Sequence, residues 1–264
     1  MSDLHSSTLI HSTAVIDPAA RVAADVIVGP YSVIGAGVEI DSNCWIGAHV
    51  VIGGSTVVGA GTRVFPFASL GSEPQDKKYR GESTRLEIGC GNTIREYVTI
   101  NRGTVQDTGV TRLGDDNWIM TYVHIAHDCQ IGSHTVLANN TTLAGHVNIG
   151  DYATLGGASL VHQFCHIGEH AFTAYGARIN KSVPPFVMVS EGKGRARGLN
   201  IEGMKRRGFS EDRIKWLKEA YRILYRSDLS LEKAIEELGR IENKSEDVCR
   251  LREFVSASDR SIVR

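Results

Sequence analysis

Aliphatic residues recur at every sixth position from Ile10 to Leu70, through Ile16, Val22, Val28, Ile34, Ile40, Ile46, Ile52, Val58 and Val64. Two positions before each sits a side chain that is usually small, as in Ala14, Ala20, Ser32, Cys44, Thr62 and Ala68. A glycine often follows, as at Gly29, Gly35, Gly47, Gly53 and Gly59. The pattern resumes at Ile88, Ile94 and Ile100. It restarts one residue out of phase at Leu113 and runs to Ile179, with Thr173 its one polar member. A helix would repeat its apolar face at spacings of three and four, and a half-buried strand would alternate over a longer stretch. Two inward positions in six, followed by a turn, describe short strands joined at corners. Hexapeptide repetition of this kind predicts a parallel β-helix. Three six-residue sides close one coil, so residues 18 apart stack, and each coil rises by one strand spacing, about 4.7–4.9 Å.

Two segments interrupt the ladder. Residues 71–86 and 101–112 are polar and rich in turn formers, which predicts extruded loops. Insertions into solenoids often line the binding face, which draws attention to Asp76 and Lys78. Val183-Pro184-Pro185-Phe186 ends the regular ladder, because adjacent prolines cannot donate hydrogen bonds. Residues 186–209 read as irregular and basic. Ser210, Ser230 and Ser245 then read as N-caps of three helices. Their apolar stripes are Ile214, Leu217, Tyr221, Leu224 and Tyr225, then Ile235, Leu238 and Ile241, then Val248, Leu251 and Val255. The expected fold is mainly β. A hexapeptide-repeat β-helix spans 1–189, and a small C-terminal α-helical domain spans 190–264.

Composition narrows the partners. The 264 residues carry a net charge of −1, which gives no general attraction to nucleic acid. No apolar run is long enough to cross a bilayer. Met1-Ser-Asp-Leu-His lacks the basic-then-apolar pattern of a secretory leader. Cys44, Cys129 and Cys165 occupy the small inward slot, which reads as reduced thiols packed in a cytoplasmic protein. Between Glu191 and Arg226 there are 11 Lys/Arg against 5 Asp/Glu, a local surplus suited to an acidic partner or a phosphate.

Seven of the ten histidines fall between His124 and His170. Stacking by 18 puts Gly145 and then Gln163 over His127, His146 over Asp128, and His162 over Ala144 and Ala126. His124, His127, Asp128, His146 and His162 therefore gather outside one corner of three coils, where the plain reading is ordinary surface polarity of a solenoid. Two chemistries also suit them. Imidazole and carboxylate are zinc ligands, and histidine titrates near neutrality and serves acid–base catalysis. Zinc needs its ligands at about 2.0–2.1 Å from one point, whereas His127 and His162 stand about 9–10 Å apart by strand spacing. Acid–base work by one histidine, with no metal, fits that spacing better. The glycine over His127 leaves room for a substrate and puts a backbone N–H beside a base, as acyl transfer requires. Asp128, reaching back, would orient His127.

The ladder resembles a known family once its motifs are added: HIAHDC at His124–Cys129, LAGHV at Leu143–Val147, VHQFC at Val161–Cys165, VPPFV at Val183–Val187 and NIEGMKRRGFS at Asn200–Ser210. These resemble the bacterial UDP-N-acetylglucosamine O-acyltransferases, which start lipid A biosynthesis. Hexads are common to many acyltransferases; HIAHDC with NIEGMKRRGFS is the specific part. The resemblance implies a cytoplasmic homotrimer of left-handed β-helices with no cofactor of its own. Its acyl donor would be acyl carrier protein bearing a phosphopantetheine-linked 3-hydroxyacyl chain, and its acceptor the glucosamine 3-hydroxyl of UDP-N-acetylglucosamine. It implies His127 as general base, Asp128 as its partner and the Gly145 N–H as oxyanion donor. It further implies Asp76, Lys78, His124, His146, His162 and Gln163 as substrate contacts, and Asn200, Glu202, Arg206 and Arg207 as contacts to the nucleotide end. Two positions depart from relatives: Asn101, where some carry histidine, and Tyr175, where those accepting long chains carry glycine. Tyr175 is expected to shorten the acyl groove. Two other readings share the ladder: a β-helical zinc carbonic anhydrase, and a non-catalytic trimeric scaffold that binds acyl carrier protein.

Overall fold

The computed structural model describes residues 9–258 and 261–264, so the leader reading at Met1–His5 lies outside the described residues. Strands of two to four residues line three faces of a left-handed parallel β-helix. The first face runs from Val15–Ile16 to Arg178–Ile179, the second from Arg21–Val22 to His166–Ile167, and the third from Ile27–Val28 to Val187–Val189. Parallel partners are 18 residues apart in regular coils, as in His124↔Thr142↔Leu160. The spacing widens to 30 across the first interruption (Ser69↔Thr99) and to 25 across the second (Thr99↔His124). The irregular stretches are slightly shorter than the sequence suggests, because Ser69–Ser72, Arg85–Ile88 and Val110–Leu113 remain strands.

The sixth-position aliphatics fill the interior. Ile34, Ile46, Ile52, Leu70, Ile94, Ile119, Leu137 and Leu143 are fully buried, each stabilising the fold by about 1.5–3 kcal/mol. Thr173 fits because its Oγ1 bonds Ser159 Oγ at 2.8 Å and accepts from Gly156 N at 3.1 Å. Ile10, on the lowest described coil, is 41% exposed.

Each corner holds a residue in the left-handed region, normally a costly conformation outside glycine. Tyr31, His49, Phe67, Tyr97 and Tyr122 do so on one corner, His134, Tyr152, His170 and Phe186 on the second, and Asp128, His146 and Phe164 on the third. Rings one coil apart stack at 4.4–5.6 Å, which helps offset that strain.

Beyond the prolines the chain is more ordered than its composition suggests. Val187–Val189 extends the third face, and Ala196–Leu199 pairs antiparallel with it, past the expected boundary at 189. Helix α1 (Ile201–Arg206) follows, its Asn200 Oδ1 accepting from Gly203 N. Helices α2 (Glu211–Arg226) and α3 (Leu231–Ile241) start at Ser210 and Ser230, whose hydroxyls accept the expected capping bonds. Ser245 precedes α4 (Glu246–Ala257) but its hydroxyl donates to Asp247 instead of capping.

The helices are tied together and to the solenoid by charge. Asp247, 1% exposed, accepts two bonds from Arg213 at 2.8 Å and one from Arg250 at 3.1 Å, while Arg250 reaches Glu169 on the β-helix at 3.3 Å. Burial by itself would raise the Asp247 pKa, but Arg213 and Arg250 outweigh it and hold the carboxyl below its ordinary value. A depressed native pKa stabilises the fold fully above the unfolded value, about 3.9 for Asp, and that stabilisation is lost as pH falls through the native value. Asp247→Asn is therefore expected to lower stability at pH 7 by roughly 1–3 kcal/mol. It should also flatten the acid limb of a denaturation series between pH 7 and 3, and an unchanged acid limb would remove this network from the account.

Candidate functional site

The histidine corner is assembled by register. His124 ends on the first face; the chain then turns through His127 and Asp128, and one coil later through Gly145 and His146. Asp128 is a buried carboxylate. Its Oδ2 accepts from His127 Nδ1 at 2.8 Å and from Thr104 Oγ1 at 2.6 Å, and its Oδ1 accepts from Thr104 N at 2.8 Å. Its own N–H donates to Thr111 Oγ1 at 2.8 Å. Burial would raise its pKa, but the donors His127 and Thr104, with the charge of His146, lower it below the usual range. With Nδ1 committed to a carboxylate, the nitrogen left to His127 for chemistry is Nε2.

Gly145 has a packing reason for being glycine. A Cβ there would lie 2.6 Å from His127 Cε1 and 2.9 Å from Nε2. The space that the sequence leaves to a substrate is taken by the histidine ring itself. The Gly145 N–H makes no hydrogen bond among the described residues. His146 meets His127 edge-on at 5.1 Å, stacks on Phe164 at 4.4 Å, and donates from Nδ1 to Asp107 Oδ2 at 2.7 Å. His124 bonds Thr99 Oγ1 at 2.7 Å; burial, then the charge of His127, lowers its pKa and favours the neutral ring.

His127, Asp128 and His146 offer ligand atoms within 4.8 Å of one another, close enough to hold a metal ion. All three are already engaged in hydrogen-bonded His–Asp pairs, Asp128 with His127 and Asp107 with His146, an arrangement suited to moving protons.

The other expected residues spread outward from this centre. His162 and Gln163 are exposed, and the recorded bond of the His162 ring is to the Gln163 carbonyl at 3.2 Å. His162 and Ala144 line a groove of about 740 Å³ whose other walls include Arg178, Lys181, Lys193, Arg195 and Arg264. Asp76 and Lys78 ride on the first extruded loop, where Asp76 Oδ1 accepts from Lys78 N at 2.9 Å. Tyr175 stands 74% exposed at a different corner, its ring over Gly157 of the preceding coil. Asn200, Arg206 and Arg207 line a cavity of about 130 Å³ with Tyr152 and His170; Glu202 is not among its walls. The Arg207 guanidinium lies 4.6 Å from the Tyr152 ring centre, and burial holds the His170 pKa down to about 4. A larger cavity of about 1050 Å³ between α4 and the second face contains none of these residues.

Thr104 and Asp107 are absent from the sequence-based set, yet both bond the corner. The usable signal is the interruption at 101–112, one coil beneath His124. The same segment explains Asn101. It is buried, its Nδ2 donates to Glu73 O at 2.7 Å, and its Oδ1 meets no donor among the described residues. Arg102 donates to Tyr79 Oη at 2.7 Å and Gly71 O at 3.0 Å. The second interruption thus holds down the first.

Known proteins resemble this chain along nearly its whole length. Residues 183–263 match the family model described as Udp N-acetylglucosamine O-acyltransferase, domain 2, and residues 111–145 match the bacterial transferase hexapeptide model. An acyl-[acyl-carrier-protein]–UDP-N-acetylglucosamine O-acyltransferase of Herminiimonas arsenicoxydans is 55% identical over 97% of this chain and 100% of its own. The crystal structure of UDP-N-acetylglucosamine O-acyltransferase from Moraxella catarrhalis superposes with a TM-score of 0.95 at 46% identity, over 97% of this chain and 100% of that one. The acyltransferase of Francisella novicida gives 0.95 at 43%, over 97% and 94%.

Arg102→Ala is expected to loosen the 73–84 loop without unfolding the solenoid. Limited trypsin digestion should cut faster at Lys77, Lys78 and Arg80 while the melting temperature stays within a few degrees; an unchanged cleavage rate would contradict the clamp.

Proposed function

This chain belongs to the family of UDP-N-acetylglucosamine O-acyltransferases, and from that premise we propose that His127 is the general base of its transfer reaction. The reaction class is O-acyl transfer from acyl carrier protein to UDP-N-acetylglucosamine. The observation that carries the base assignment is the buried Asp128 carboxylate bonded to His127 Nδ1 at 2.8 Å, which leaves Nε2 free beside the unbonded Gly145 N–H.

In this reading the acceptor is the glucosamine 3-hydroxyl and the donor a 3-hydroxyacyl thioester. His127 Nε2 takes the hydroxyl proton as the oxygen attacks the thioester carbon. The carbonyl oxygen gathers negative charge, and the Gly145 N–H donates to it. Asp128 holds the imidazole tautomer and stabilises the imidazolium. Collapse breaks the C–S bond, and the proton on Nε2 passes to the departing thiolate. No cofactor enters these steps.

His124, His146, His162 and Gln163 line the acceptor and donor path, with Asp76 and Lys78 reaching it from the loop. Asn200, Glu202, Arg206 and Arg207 take the nucleotide end. Support for a homotrimer comes from the separation of parts. The His127 corner carries Asp128, His146 and Phe164, whereas the Asn200–Arg207 cavity sits at the corner of Tyr152 and His170. A site that uses both groups is completed by a second copy. The groove with Arg178, Lys181, Lys193, Arg195 and Arg264 supports an acidic carrier protein as donor. No described helix is long and apolar enough to cross a membrane. The buried thiols of Cys44 and Cys129 donate to the carbonyls of Gly59 and Ala144 and form no disulfide, which suits a reducing compartment, and the reading keeps the reaction in the cytoplasm.

The direct test incubates the protein with UDP-N-acetylglucosamine and a series of 3-hydroxyacyl carrier proteins, with and without chelator. Chelator-resistant acylated product is expected, and His127→Ala should lower its rate by about 10²–10⁴-fold while the oligomer stays intact. Near-normal turnover in that variant removes the base assignment, and absence of product with every donor removes the substrate assignment. In the same assay Tyr175→Gly is expected to move donor preference toward longer chains. An unchanged preference would show that this ring does not limit the groove.

A further inference from the structure

Among side chains that touch the dyad, Thr104 has no part in the mechanism above. Thr104 is 1% exposed and donates both of its hydrogen bonds to the same carboxylate: backbone N–H to Oδ1 at 2.8 Å and hydroxyl to Oδ2 at 2.6 Å. The residue before it is shaped to let this happen. A Cβ on Gly103 would lie 2.3 Å from Val110 N and 2.8 Å from Asp128 Oδ1, so only glycine lets the segment close onto the carboxylate. Gly103 and Thr104 together form a cradle around Asp128 from an insertion that the regular coils lack.

We propose that Thr104 is a positioning residue for the catalytic pair, fixing the Asp128 carboxylate so that Oδ2 faces His127 Nδ1. This rests on the assignment of His127 as the base. The physical argument is one of directions. A buried carboxylate has lone pairs on both oxygens and turns to satisfy them. Asp128 Oδ2 serves two donors, His127 and Thr104 Oγ1, and Oδ1 is held by the Thr104 amide. With the hydroxyl removed, the carboxylate keeps the amide bond to Oδ1 but is free to rotate away from the imidazole. His127 then loses the bond that selects the Nδ1–H tautomer, and the population with a basic Nε2 falls.

The test compares Thr104→Val, Thr104→Ala and Thr104→Ser in the full chain. Two readouts are taken: steady-state transfer, and ¹⁵N NMR of the His127 imidazole without substrates. In Val and Ala, kcat is expected to fall about 10–100-fold, in line with loss of a hydrogen bond to a charged group, while KM for the nucleotide sugar stays within about twofold. Ser should restore most of kcat. The His127 ¹⁵N shifts should move toward a tautomer mixture in Val and Ala and stay wild-type in Ser. If Val does not fold, Ala carries the comparison. An unmoved His127 tautomer in Val or Ala overturns the proposal, as does an equal loss in Ser. His127→Ala separates the two claims. If it retains activity, the base assignment fails, and the NMR readout still decides whether Thr104 orients the pair.

Discussion

A parallel β-helix can rise by only one strand spacing per coil, about 4.8 Å, and most of what this protein does follows from that. In the regular coils the side chain above a corner residue is the one 18 positions later, as His146 is to Asp128 and Phe164 to His146. Corner columns are therefore the natural place to gather polar groups. The interior is mostly apolar, with a few polar side chains such as Thr173 and Asn92 held there by hydrogen bonds, and the flat faces point their side chains apart. The left-handed backbone at this corner sets the direction in which Asp128 and His146 leave the chain. Phe164 stacks on His146 from the coil above and resists its displacement, so the site inherits the stiffness of the ladder.

That stiffness bears on the cost of burying Asp128. Taking a carboxylate out of water costs several kcal/mol, while each hydrogen bond from a suitable donor to a charged group returns about 1.5–3 kcal/mol. Three donors, two of them from Thr104, are enough to keep the ionised form at ordinary pH, in accord with its lowered pKa. His127 then sits between a fixed negative charge and the open side of the corner. A mobile loop carrying the same residues would have to order them at each turnover. Here the ordering is done during folding and is shared with the apolar core.

The parts legible in the sequence are those governed by period. The six-residue aliphatic repeat determines which side chains point inward, hence which point out, and stacking by 18 brings His127, Asp128, Gly145 and His146 together from the sequence alone. What was illegible lies where the period breaks. Thr104 and Asp107 enter from an insertion that stretches the local partner spacing to 25, so no stacking rule assigns them a neighbour. The reason for Gly145 was half legible: the backbone N–H could be inferred, but not that the His127 ring lies against the glycine. Helix α1 and the strand at Ala196–Leu199 were missed because six and four residues with glycines inside carry no usable periodicity.

A fold that cannot alter its rise or its face width has one economical way to build a substrate-shaped site, which is to extrude chain between coils. Both interruptions lie just below the histidine corner, and they are not independent of each other. Asn101 and Arg102 from the second secure the backbone and Tyr79 of the first. Two residues further on, Thr104 grips Asp128, and Asp107 grips His146. One short segment thus couples a loop suited to choosing the substrate to the pair suited to proton transfer. Changes in that loop that strain the Arg102 bonds should be felt at the carboxylate, because Thr104, which holds it, follows Arg102 closely along the chain. This is a physical reason for the two functions of the corner to vary together while the coils themselves stay the same.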